Sequence, residues 1–154
     1  EFLEGEEMSY FIISDGKNYK KFQTAQDHKR VLEGDKGKNT GGMGAYSPSK
    51  LINKELDQKI IKKIIEPTLK GLQDLKTNFK GFLYAGLMIK NNEPYLIEYN
   101  VRMGDPECQT ILPKLKNDLM EIIESVVDCQ LITVNLSWPN FKFLSIVLCY
   151  NGNL

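Results

Sequence analysis

Glu98, Asn100 and Arg102 stand at every second position where the apolar and aromatic run "YLIEYNVR" gives way to the turn "MGDPE". In an extended chain these three side chains share one face, and Tyr95, Ile97 and Tyr99 occupy the other. Carboxylate and amide oxygens side by side are hard donors suited to magnesium or manganese, ions that also take oxygens from water and from phosphates. Glu98 and Asn100 are therefore the candidate metal ligands. Arg102 adds a permanent charge on a planar fork that matches phosphate or carboxylate oxygens. Asp105 and Glu107, in the adjoining turn, have the chemistry to receive an amine or orient a substrate. The same alternation also arises on a solvated strand face without any chemistry, with Arg102 paired to Asp105 or Glu107. Spacing alone leaves both readings open.

A second concentration of chemistry lies in "GDKGKNTGGMGAYSP", which carries Gly34, Gly37, Gly41, Gly42 and Gly44. Backbone amides freed of side chains can cradle an oxyanion, and Asn39, Thr40, Gly41 and Gly42 supply such donors. The spacing matches neither a Walker loop nor a dinucleotide fingerprint, and a flexible surface loop is the plainer alternative. "QDHKR" brings Lys29 and Arg30 close to this loop, either as anion contacts or as a solvated charge run. His28, the single histidine, has no serine, cysteine or carboxylate placed as its partner, and is assigned a structural or solvent-facing role. Met43, Met88 and Met103 are assigned to packing.

These residues need elements to hold them. "MSYFIIS" and "YKKFQTA" read as two strands joined by the turn "DGKN", and residues 25–47 show no periodic pattern and read as a long loop. From Leu51 to Leu72, apolar residues recur at helical spacing, as in Ile52, Leu56, Ile60 and Ile64. Pro67 is expected to kink or end that helix near Ile65 or Glu66, because proline removes a donor and crowds the preceding turn. "GFLYAGLMI" and "PYLIEYN" form a second hairpin about "KNNE". Asn117 or Asp118 caps a later helix with the apolar stripe Leu119, Ile122, Ile123, Val126 and Val127, and "FKFLSIVLCY" reads as a final strand.

The composition, 42% hydrophobic and 26% charged over 154 residues, is that of a folded soluble domain or part of one. Twenty basic and twenty acidic side chains cancel, so no net field draws the chain to nucleic acid or an anionic membrane. Its longest apolar runs are about half the ~20 residues of a spanning helix, and its first residues lack the features of a signal peptide. Cys108, Cys129 and Cys149 are too few and too widely spaced for a disulfide framework or a zinc site, which points to free thiols in a reducing cytoplasm.

Taken in order, "EFLEGEE", "QDHKR", "NTGGMGAYSP", "GFLYAGLMI", "IEYNVRMGDPE" and "NDL" resemble the ATP-grasp region of the phosphoribosylamine–glycine ligase family, over roughly residues 1 to 128, an extent judged from motif order. The resemblance implies an α+β fold, an ATP-grasp-type antiparallel sheet with packed helices, with residues 1–144 as the carboxy-terminal part of that domain and 145–154 starting the next. It implies ATP between two sheets, with the backbone of Glu1, Phe2 and Leu3 at the adenine, Glu7 on the ribose hydroxyls and Lys29 at the terminal phosphate. Glu98 and Asn100 match the family's Mg2+ or Mn2+ pair. Arg102 would stabilise charge on the acyl-phosphate side, Asn39 to Gly42 would hold the sugar phosphate or glycine, and Asp105, Pro106 and Glu107 would shape the amine site. The implied reaction joins glycine to 5-phosphoribosylamine through a glycyl phosphate, giving glycinamide ribonucleotide, ADP and phosphate, with only small-molecule partners and no stated oligomeric state.

Two departures temper this expectation. "LYAGLMI" has no acid where many ATP-grasp enzymes carry a second metal carboxylate. The chain also starts at the family's hinge, so the preceding nucleotide-binding strands are absent from it and the isolated chain is expected to be inactive. A non-catalytic nucleotide-binding fragment, a ligase for another carboxylate and amine, and a purely structural domain are the competing classes.

Overall fold

The computed structural model describes residues 2–34 and 36–148. Glu1, expected at the adenine, and Cys149 onward, including most of the segment assigned to a following domain, lie outside the described residues.

Strand β1 (Glu6–Asp15) pairs antiparallel with β2 (Tyr19–Lys21) through the turn in which Gly16 adopts φ +89°. The strand assigned to "YKKFQTA" stops at Lys21, and Ala25 returns only as an isolated bridge to Ser9. The segment 25–47 is not a structureless loop. It contains β3 (Gln26–Asp27), β4 (Arg30–Leu32), β5 (Lys36–Asn39) and β6 (Gly44–Ser47). These strands are too short and polar to show a period of two, and β6 finds β9 about a hundred residues further on.

Helix α1 (Lys54–Ile60) starts at Asn53, whose side chain accepts from the Leu56 amide at 2.9 Å. It does not end before Pro67. A π-helical stretch, Ile61–Ile65, leads directly into α2 (Glu66–Asp74), with Pro67 in its first turn. The widened turn carries the helix past the missing proline donor, and the Thr68 hydroxyl donates to the Ile64 carbonyl at 2.7 Å.

Strands β7 (Lys80–Lys90) and β8 (Glu93–Asn100) form the second hairpin, with Asn91 and Asn92 both at positive φ in its turn. After α3 (Glu107–Ile111), α4 (Leu119–Val127) is capped by Asp118, which accepts from the Met120 amide at 2.7 Å. Asn117 instead ties the chain to 135–137. Only Ile122 and Val126 of the expected stripe are fully buried, whereas Val127 is 64% exposed. Strand β9 (Phe143–Ile146) closes a sheet of order β3-β6-β9 and spans the expected domain boundary at 144/145.

The larger sheet, β2-β1-β7-β8, is wholly antiparallel and is covered on both faces. Met8, Tyr10 and Ile12 of β1 pack with Leu56, Ile60 and Ile65 on one side. On the other side, Phe11 and Ile13 pack with Phe22, Ile111 and Ile122. Two buried faces explain why "MSYFIIS" is almost continuously apolar, and each such side chain contributes about 1.5–3 kcal/mol on burial. Among the described residues, no helix is long and apolar enough to cross a membrane.

Candidate active site

Beyond its apolar stretch, β1 presents Glu7 and Ser9 on the face away from α1 and α2. These side chains meet Asp27 and Lys29 from the β3 segment, Tyr84 from β7 and Glu98 from β8 around a cavity of about 130 Å³. A groove of about 860 Å³ adjoins it, sharing Glu7, Asp27 and Lys29, and runs on past Phe2, Leu3 and Asn39.

Glu98 reaches this cavity through a β-bulge. Gly86 pairs with Glu98 but Leu87 pairs with Leu96, which leaves Ile97 as the extra residue. Ile97 and Glu98 consequently both line the cavity, whereas Tyr99 packs on the helix side with the first core. The expectation of strict alternation, with Ile97 and Tyr99 on one shared face, is corrected by that bulge. Gly86 leaves the space that Glu98 fills, since a Cβ there would lie 3.2 Å from Glu98 Cγ. Asn100 is the last residue of β8, and its Nδ2 donates to Glu98 Oε1 at 3.0 Å.

Arg102 does not continue this face. The strand has ended, its Nη1 donates to the Met103 carbonyl at 2.9 Å, and the side chain is exposed. Among the described residues it forms no ion pair with Asp105 or Glu107, the partners of the plainer alternative.

The electrostatics of the cavity centre on carboxylates. Lys29 Nζ lies 2.8 Å from Glu7 Oε2. Burial alone would pull the Lys29 ammonium down, but the bond to Glu7 and the charges of Glu7, Asp27 and Glu107 outweigh it and hold it above its ordinary value. Burial, reinforced by the Glu107 charge and opposed by Lys29, pushes the Asp27 carboxyl up to about 7. Glu107, 3% exposed at the start of α3, accepts from the Ser9 hydroxyl at 2.8 Å, and Ser9 Oγ is also 3.0 Å from the Tyr84 hydroxyl. A Cβ at Gly104 would collide with the Glu107 carboxylate, so that glycine is what lets the acid fold back toward Ser9.

The glycine-rich loop and the Asp-Pro turn, more than sixty positions apart in the numbering, touch at Gly42. Its φ is +113°, and a Cβ there would meet Pro106 Cδ at 2.6 Å and Asp27 Oδ1 at 3.1 Å. Two of the loop's amides are engaged within the fold: Thr40 N–H donates to the Lys29 carbonyl at 2.7 Å and Gly42 N–H to Thr40 Oγ1 at 3.2 Å. Asp105 accepts from Gln109 Nε2 at 2.6 Å. His28 is exposed beside Tyr46 and lines the groove. Ser9, Asp27 and Tyr84 belong to the site, although residue type and spacing do not single them out. For Asp27 a signal exists, because it stands two residues before Lys29 and so on the same face of an extended "QDHKR".

The donor chemistry fits a hard divalent cation at Glu98 and Asn100, a carboxylate and an amide held in contact. Among the described residues no three histidine, cysteine, aspartate or glutamate side chains converge to hold a metal ion, so such an ion would draw its remaining ligands from water and phosphate.

Two antiparallel sheets flanking a groove, with a Glu-x-Asn strand end facing a lysine, define the ATP-grasp class. Residues 1–108 match the family described as phosphoribosylglycinamide synthetase, ATP-grasp (A) domain, and the chain belongs to that family. It is 47% identical over 152 residues to the phosphoribosylamine–glycine ligase of Mesorhizobium japonicum, covering 99% of this chain and 36% of that protein. It is also 47% identical to the chloroplastic phosphoribosylamine–glycine ligase of Arabidopsis thaliana, covering 99% of this chain and 29% of that one. The crystal structure of phosphoribosylamine–glycine ligase from Thermotoga maritima superposes with a TM-score of 0.83 at 32% identity, over 99% of this chain and 38% of that chain. The chain thus spans about a third of the length of these relatives.

Proposed function

We propose that the protein to which this chain belongs is an ATP-dependent carboxylate–amine ligase that joins glycine to 5-phosphoribosylamine, giving glycinamide ribonucleotide, ADP and phosphate in cytoplasmic purine biosynthesis. The observation that carries this reading is the convergence of Glu7, Lys29 and Glu98 from separate strands on one cavity in a chain of this family. The chain supplies the part of the ATP-grasp domain up to about residue 144, and β9 links it to the segment assigned to the next domain.

In this reading ATP lies along the groove, its adenine end toward Phe2 and Leu3 and its ribose hydroxyls donating to Glu7. Lys29 meets the terminal phosphate, a task that asks mainly for position and positive charge. Glu98 and Asn100 would hold Mg2+ or Mn2+, which would neutralise phosphate charge. Arg102, exposed and with its Nη1 donating to the Met103 carbonyl, would stabilise charge on the acyl-phosphate side. The loop from Asn39 to Gly42 and the turn from Asp105 to Glu107, already in contact at Gly42 and Pro106, close the acceptor side.

Steady-state assays on the full-length protein test this. ADP release is expected to require both glycine and phosphoribosylamine, and Glu98→Ala to lower turnover by two orders of magnitude or more, about 3 kcal/mol. Metal-dependent ATP binding without glycine-stimulated turnover would point instead to a non-catalytic nucleotide-binding protein.

A further inference from the structure

Gly86 stands inside β7 between Ala85 and Leu87, both fully buried. Glycine inside a strand costs stability relative to alanine, and it commonly marks a bulge or a close approach of a ligand. Its φ is not positive, so the backbone itself does not ask for glycine. The direction a side chain would take explains the residue better. Gly86 is the cross-strand partner of Glu98, which puts the two on one face of the sheet, and both line the cavity of about 130 Å³. A Cβ on Gly86 would have Glu98 as its nearest neighbour, 3.2 Å from Cγ and 3.9 Å from Oε1. Position 86 therefore points at the carboxylate that is the candidate metal ligand, and adds no donor of its own.

We infer that Gly86 decides how the divalent cation is held: without a side chain opposite Glu98, the ion has two protein ligands, and its binding depends on the phosphates of the nucleotide. The inference rests on the metal and nucleotide part of the reading above. Asn100 Nδ2 donates to Glu98 Oε1 at 3.0 Å, which leaves Asn100 Oδ1 and Glu98 Oε2 as oxygen donors, one from each residue. The other two acids lining the cavity are engaged elsewhere. Glu7 Oε2 is 2.8 Å from Lys29 Nζ, and Asp27 Oδ1 lies against Gly42. A hard divalent cation takes about six oxygens or more, so water and phosphate must supply most of its shell. Two ligands with a single charge between them hold such an ion weakly, which lets it arrive and leave with the nucleotide. A carboxylate at position 86 would add a third protein ligand and a second charge, and Glu98 has to yield only a few tenths of an ångström to admit its Cβ.

The test is titration of nucleotide-free, full-length protein with Mn2+, read by the electron paramagnetic resonance of the free ion. Wild-type and Gly86→Ala protein are expected to bind Mn2+ with dissociation constants of about 1 mM or weaker, and Gly86→Asp at least about tenfold more tightly. Adding Glu98→Ala to Gly86→Asp should abolish that gain, because the ion would lie between the two positions. Gly86→Asp should also show a Mn2+-dependent rise in Tm that the wild type lacks. Wild-type protein that binds Mn2+ tightly without nucleotide overturns the inference, with no variant needed. A folded Gly86→Asp protein that binds no more tightly than Gly86→Ala overturns it as well, and the ligase reading survives both results. Should Glu98→Ala leave the metal activation constant for ADP release unchanged, the metal reading itself fails, and the inference with it.

Discussion

Lys29 Nζ and Glu7 Oε2 are 2.8 Å apart, a salt bridge between two residues assigned separately to the two ends of a nucleotide. Without ATP each neutralises the other, and both side chains remain substantially accessible, at 35% and 46%. Such a pair adds little to stability but holds the lysine ready at the cavity.

Lys29→Met is therefore expected to weaken ATP binding about ten- to hundredfold while shifting Tm by no more than a few degrees. Titration calorimetry with ATP and Mg2+, alongside a thermal melt, measures both. Normal ATP affinity in the variant would remove Lys29 from the phosphate site.

Gly42 is where loop and turn press together, so Gly42→Ala has two costs, a φ of +113° and a Cβ 2.6 Å from Pro106 Cδ. The strain alone is worth about 1–3 kcal/mol. A loss of roughly 2 kcal/mol or more in urea unfolding, together with lower turnover, is the expected outcome. Gly81→Ala is the control for backbone strain without contact, since its φ is +121° with nothing within 4 Å, and it should leave turnover unchanged.

Asp15 ties the first hairpin to the segment after α4. It is fully buried and accepts from the amides of Lys17 at 2.8 Å, Asn18 at 2.6 Å and Leu131 at 3.1 Å. Burial works against its ionised form, but those amide donors prevail and lower its pKa below the ordinary 3.8. A depressed carboxyl contributes stability that is present above the unfolded value and lost as pH falls through the folded one. Asp15→Ala should cost roughly 3 kcal/mol at pH 7 and flatten the stability curve below the ordinary carboxyl value of 3.8, as followed by denaturant titrations at a series of pH values.

Asp27 has the opposite sign. Its folded pKa of about 7 lies above the ordinary 3.8, so the folded state holds the extra proton and stability falls as pH rises from 3.8 to 7. Asp27→Asn removes that dependence and is expected to raise Tm by a few degrees at about pH 8 with little change at about pH 4. A variant that loses stability equally at both pH values would show that the carboxylate is a structural contact.

The amino-acid sequence by itself determined the elements whose information is local. Apolar runs bounded by Gly16 and by Asn91–Asn92 specify the two hairpins, because turn chemistry and strand pattern lie within about twenty positions of each other. The start of the later helix at Asn117 or Asp118 was legible as a cap for the same reason, and the structure gives that role to Asp118. The Glu98–Asn100 pair, Lys29 and the glycine-rich loop were also legible, as residue types with a chemistry. Tertiary structure alone decided how they meet. The extra residue at Ile97 depends on the register with β7, the passage of Pro67 depends on a widened turn packed on the sheet, and the strands within 25–47 depend on a partner as distant as β9. The meeting of Gly42 with Pro106, and of Asp27 with Glu107, has no local signal at all. Each is set by where two sheets and a turn pack together, and packing is the one quantity that residue spacing along a chain does not encode.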